Sequence, residues 1–181
     1  MDKMDKMKII LVGYPGSQPI VKASKYLTDK YLPGFDIHWL NWIGGLEGWS
    51  NFVANYLAHL DDEKVIFALD DYLISGFDED KFKEALKLEP CVKLCETTWG
   101  EHRGYPVTTQ YTIWNRKELI DLLSKTTTPW DFEISGSNLF KGKSNLLTCI
   151  HYDNHSALSG RWKGVDWSGV KQEDLEIIQN L

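Results

Sequence analysis

An α/β fold is what the sequence predicts, with a mostly parallel sheet sandwiched by helices and a less regular C-terminal half. Three observations predict it. Apolar runs of strand length recur through the first half: "KIILVG" at 8–13, "FDIHWLNW" at 35–42 and "VIFAL" at 65–69. Helical periodicity fills the stretches between them. The connections are short, and strands alternating with helices in this way pack as a parallel, Rossmann-like sheet covered by its crossover helices.

Each element follows from local chemistry. "KIILVG" is a continuous apolar run closed by Gly13, as in a strand buried on both faces. "YPGSQP" reads as a turn. Residues 18–31 read as a helix with Ile20, Ala23, Tyr26, Leu27 and Tyr31 on one face. The second strand leads to "GWSNFVANYLAHL" (48–60), a helix with Ser50 as N-cap and Phe52, Val53, Tyr56, Leu57 and Leu60 as its buried stripe. "VIFAL" is the third strand, and "DEDKFKEALKL" (78–88) is a helix stopped before Pro90. In the second half "CVKLCETT" (91–98) reads as a strand, "WGEHRGYP" as a loop and "TTQYTIW" as extended chain. "NRKELIDLLS" is a helix with a capping pair, Asn115 and Glu118. "TTTPWDFEISGS" (126–137) opens a helix with Pro129 at its first position. "NLLTCIHY" (145–152) is a strand and "KQEDLEIIQN" a terminal helix. No repeat or linker divides the chain, so residues 1–181 read as one domain with halves 7–90 and 91–181.

Composition narrows the function. A net charge of −6 argues against broad nucleic-acid binding, which needs a basic face. Aromatic residues make up 13% of the chain, with eight Trp, which suits a pocket that stacks on rings or sugars. Cys91, Cys95 and Cys149 form neither a CxxC pair nor an even framework and read as reduced thiols of a cytosolic protein. No apolar run is long enough for a transmembrane helix. The charged "MDKMDKMK" lacks the apolar core of a signal peptide, so a cytoplasmic location is expected.

Four stretches carry candidate chemistry. Asp70 and Asp71 follow the third strand directly, where ligands of open α/β sheets bind. Paired carboxylates there suit Mg or Mn shared with substrate phosphates, and the plain alternative is solvated loop charge. Asp131 and Glu133 flank Phe132 beside Trp130; desolvation there would raise a carboxyl pKa and suit a general base, whereas acids at a helix start also complement its dipole. In "HYDNH", strand alternation would set His151, Asp153 and His155 on one side as a zinc or iron site, although Asp153-Asn154 is turn chemistry. "SGRWKG" offers Arg161 and Lys163 in a Gly-flanked loop, either solvated or set against a leaving diphosphate. The dinucleotide fingerprint and the P-loop are absent, and nothing marks a Ser or Cys nucleophile.

Taken together, "GWSNFVANYLAHL", "VIFALDDYLIS", "YPVTTQYTIWNRKELIDLL", "TPWDFEISGS" and "SGRW" resemble small glycosyltransferases of the GT-A type, of the kind encoded in bacterial polysaccharide clusters and phage genomes. Tyr72 stands where a D-x-D triplet has its third acid. The resemblance implies a GT-A-like fold and transfer of a sugar from a nucleoside diphosphate sugar to an acceptor hydroxyl, with inversion. It implies that Gly13, Tyr14 and Pro15 line the base and ribose. Asp70 and Asp71 would hold Mn or Mg and the diphosphate; His151, a single member of "HYDNH" acting alone, is a further candidate metal ligand. Asp131, with Glu133 close behind, would be the base. Trp42, Gln110, Trp114 and Trp130 would shape the sugar and acceptor pocket, and Arg161 and Lys163 would stabilise the departing diphosphate. The acceptor would be a saccharide, a lipid-linked saccharide or a nucleobase hydroxyl, in a bacterial or phage-infected cell. Two alternatives stand beside this reading: a metal-dependent hydrolase using "HYDNH", and a nucleotide-sugar-binding module without activity.

Overall fold

A computed structural model describes residues 7–13, 20–95, 105–151, 167 and 170–181, and the strand backbone of 152–155. Strand β1 (Lys8–Gly13), helix α1 (Val21–Tyr31), β2 (Asp36–Asn41), α2 (Trp49–Ala58) and β3 (Lys64–Leu69) alternate as the sequence predicts. β2 and β3 both pair with β1 in parallel, at Leu11↔Trp39 and Leu11↔Ala68. The crossover from β1 to β2 runs one way along the sheet, and the one from β2 to β3 runs back. Right-handed connections therefore place α1 and α2 on opposite faces.

The second half joins the same sheet on the free side of β3. Strands β5 (Val92–Lys93), β6 (Thr112–Asn115) and β7 (Asn145–Leu146) complete the order β2-β1-β3-β6-β5-β7. β6 is antiparallel to both β3 and β5, and β7 is parallel to β5. Helices α4 (Arg116–Leu123) and α5 (Pro129–Leu139) pack beside α2. The core on that face is aromatic: Phe132 packs against Phe67, Trp49 and Trp114 with ring centroids at 5.7, 6.5 and 6.2 Å. One hydrophobic cluster runs from β1 through β6 to Cys149 and Ile150.

Several sequence expectations are corrected here. The chain does not go from β3 straight to a helix. It turns at Asp70–Asp71 into β4 (Tyr72–Phe77), which leaves the main sheet before α3 (Glu79–Ala85). The predicted strand 145–152 is two: β7, and β8 (Ile150–His155), which pairs with β4 in a separate two-stranded sheet. Of 91–98, only Val92 and Lys93 are strand among the described residues. Ser50 is not the N-cap of α2; Gly48 is, in a left-handed conformation at φ 92°, and the buried Ser50 hydroxyl accepts from Thr126 Oγ1 at 3.2 Å. α1 buries Ser24 and Thr28 beside Ala23 and Leu27, two hydroxyls that an apolar-stripe reading does not select.

Capping follows the sequence elsewhere. Asn115 accepts from the N–H groups of Lys117 and Glu118, and Thr128 caps α5 with Pro129 next. Helix α6 (Gln172–Ile178) docks on α1 through Asp174, which has no exposed side-chain surface. Its carboxylate accepts from Tyr26 at 2.8 Å, Tyr31 at 3.0 Å and Lys30 at 2.7 Å. No helix of the described residues is long and apolar enough to cross a membrane.

Candidate functional site

The site begins where β1 and β3 end together. Val12 pairs with Leu69, so Gly13 lies beside Asp70, whose N–H donates to Val12 O at 3.2 Å. Asp70 is 3% exposed and Asp71 is fully buried. Solvated loop charge is therefore not what this pair is. A Cβ at position 13 would stand 2.6 Å from Asp70 Oδ2, so glycine is what lets this carboxylate lean across the end of β1. The role the structure shows for Gly13 is to make that room.

The loop before β6 closes the other side. Leu69 N–H donates to Thr109 O at 2.9 Å, and Gln110, nearly buried, follows. Thr109 in turn donates to Glu133 Oε1 from its N–H and its hydroxyl, both at 2.8 Å, and the Thr108 hydroxyl adds a third bond at 3.2 Å. Glu133 is thus two hydrogen bonds removed from the end of β3. Thr108 and Thr109, which join it to that strand, were not among the predicted residues. "TTQYTIW" shows extended chain but not which carboxylate its hydroxyls meet.

Asp131 has a different duty. Its carboxylate accepts from the Thr127 N–H at 2.9 Å and the Thr127 hydroxyl at 3.3 Å, and its own N–H donates to Thr128 Oγ1 at 3.0 Å. A hydrogen bond from Ser135, and then those from Thr127, hold its carboxyl below the usual range against partial burial. The expected upward shift at Asp131 is reversed, because the donors around its carboxylate stabilise the charged form.

The tryptophans separate by environment. Trp114 is fully buried, edge-on to Phe132 and to Phe140 at 5.6 Å, so it belongs to the core. Trp42 is half-buried after β2; its indole N–H donates to Gly45 O at 2.7 Å and its ring lies 5.0 Å from that of Phe52. Trp130, on the first turn of α5, is 43% exposed.

The second sheet separates the two proposed metal ligands. Tyr72, next to Asp71, pairs with His155, whereas His151 pairs with Gly76 four residues along β4, roughly 13 Å away. The exposed His151 therefore does not meet Asp71, and the backbone of His155 takes that place. The ladder also slips: Leu73 pairs with Asn154 and Ile74 with Tyr152, passing over Asp153, so the strict alternation needed to align His151, Asp153 and His155 is broken. Among the described residues no group of three His, Cys, Asp or Glu side chains gathers as a metal site. Tyr14, Pro15, Arg161 and Lys163 lie outside the described residues.

Two hard carboxylates at a strand end fit Mg or Mn, which binds one or two carboxylates and completes its shell with water and substrate phosphate. The thiols offer no competing chemistry. All three are buried and free, and burial pushes Cys91 and Cys149 up to about 12.

No family model and no curated protein matches the chain. Among solved structures it is similar to HddC from Yersinia pseudotuberculosis, with 16% identity and a TM-score of 0.44 over 94% of this chain and 76% of that one. It is also similar to the bifunctional IspDF from Campylobacter jejuni, with 12% identity and a TM-score of 0.39 over 79% of this chain. The chain spans about half, 49%, of the length of IspDF.

Proposed function

We propose that the chain is a sugar-nucleotide transferase, and within that class a GT-A-type glycosyltransferase. The observation that carries this reading is the acid pair. Asp70 and Asp71 are both buried at the carboxyl end of a central strand, with Gly13 kept bare so that one carboxylate fits. Two adjacent carboxylates gathered at the end of a central strand suit a divalent cation shared with a diphosphate.

In this reading Asp70 and Asp71 hold Mg or Mn and, through it, the diphosphate of the donor. The cation, when bound, neutralises charge on the departing diphosphate. Gln110 and Trp130 border the sugar and acceptor. Glu133 is the better base: three donors fix its Oε1, and its other oxygen takes no hydrogen bond among the described residues, leaving it for an acceptor hydroxyl. Asp131, in the first turn of α5, fastens Thr127 ahead of the helix. Arg161 and Lys163 supply positive charge to the leaving group, and the displacement inverts the sugar.

A thermal-shift panel of nucleoside diphosphates and nucleotide sugars, each with and without Mn, tests the reading. A ligand that binds the folded state raises Tm by mass action. The expected result is a shift for one base that grows with Mn, with the Mn-dependent part lost in Asp71→Asn. A panel with no shift in either condition overturns the proposal.

A further inference from the structure

Helices α1 and α6 lie antiparallel and are tied together at two places. At one end the Asp174 carboxylate accepts from Tyr26, Lys30 and Tyr31. At the other, Lys22 Nζ donates to Leu181 O at 2.8 Å. Between these ties the helices do not close on one another. Ala23, Leu27, Leu73 and Val170 are the buried members of a small second hydrophobic cluster, and Trp167, Leu175 and Ile178 pack on it only in part. A cavity of about 290 Å³ remains there.

The lining sets what the cavity can take. Among the described residues its walls are Ala23, Trp167, Leu175, Ile178 and Leu181, with Lys22 and Gln179 beside them. Aliphatic and ring surface left to water favours an apolar occupant. Volume sets the size. An apolar cavity of about 150 Å³ holds one benzene ring, so this one has room for two fused rings. Charge narrows the class further. The Lys22 ammonium already donates to Leu181 O, so the ligand need not bring a counter-charge. A charged group pushed in among Ala23, Leu175 and Ile178 would lose its water without a partner.

We propose that the cavity between α1 and α6 is a binding site for a small neutral ring system, about the size of two fused rings, held against Trp167. The two ties keep the helices at a fixed separation, so the site is formed before the ligand arrives. The inference uses no residue of the acid-pair site and does not depend on that reading.

The test is a fluorescence titration of the whole chain with 1-naphthylamine, a neutral fused-ring probe, and with 1-naphthalenesulfonate, its anionic counterpart. Saturable binding of one equivalent of 1-naphthylamine is expected, with the sulfonate about 10-fold weaker or more. Ile178→Trp fills the cavity; it is expected to keep the native circular dichroism and to weaken 1-naphthylamine about 10-fold or more. Where Ile178→Trp does not fold, Trp167→Leu decides, with a loss of about 10-fold expected from the missing ring. Bound 1-naphthylamine should stay in place when Mn2+ and a nucleoside diphosphate are added. No saturable binding, or wild-type affinity in the folded variant, overturns the inference. So does a sulfonate that binds as tightly as the amine, because the site would then select an anion. Displacement by Mn2+ and the nucleoside diphosphate would place the ring at the strand ends and overturn it as well.

Discussion

Gly13 and Asp70 show how finely one atom can set this site. Gly13→Ala forces the Asp70 carboxylate to swing, since the added Cβ would sit 2.6 Å from its Oδ2. The variant is expected to fold, by circular dichroism, and to lose most of its Mn-dependent thermal shift. The two acids of α5 separate in the same way. Asp131→Ala removes acceptors from a helix start and costs about 1 kcal/mol of stability in urea denaturation, with turnover kept. Glu133→Gln keeps an oxygen facing Thr109 but loses the base, so turnover falls by roughly 100-fold or more. The acid pair was legible in the sequence because an apolar run ending in two carboxylates marks a strand end whatever its neighbours. The roles of Asp131 and Trp114 were not. A carboxylate that fastens a helix start and a general base share one residue type at one spacing, and a Trp on a short strand carries no mark of which face it takes.

At the scale of elements, Phe132 joins α5 to the sheet. It contacts Phe67, Trp49 and Trp114, so Phe132→Ala opens a cavity in the aromatic face and is expected to cost about 3–5 kcal/mol in chemical denaturation. The strand–helix alternation up to Leu69 was readable because continuous apolar runs mark doubly buried strands. β4 and β8 were not readable as a pair. Tyr72–Phe77 continues the run of β3 after only two residues, and pairing between strands that far apart in sequence leaves no local periodicity. The slips at Leu73/Ile74 and Ile74/Gly76 weaken the alternating pattern further.

Across the whole molecule, the Asp174 clasp closes the C-terminal helix onto α1 and makes that docking sensitive to acid. Burial alone would raise the Asp174 carboxyl, but Lys30, Tyr26 and Tyr31 together hold it below its ordinary value of 3.8. A carboxylate whose pKa is depressed by folding stabilises above its unfolded value and loses that contribution as pH falls through the folded one. Hydrogen exchange at 172–178 is therefore expected to quicken below about pH 4, before the sheet opens. Asp174→Asn should show the same loss of protection at neutral pH; unchanged exchange in both cases would mean that apolar packing of Leu175 and Ile178 is enough. The strand order has a further consequence, for synthesis on the ribosome. β1, β2 and β3 are complete by Leu69, but β6, which covers the open side of β3, ends at Asn115. At translation speeds of roughly 5–20 residues per second, the nascent chain carries an apolar central strand with an unpaired edge for a few seconds. That interval is when a holding chaperone has most to grip, and when the same edges of two neighbouring nascent chains are most exposed to each other.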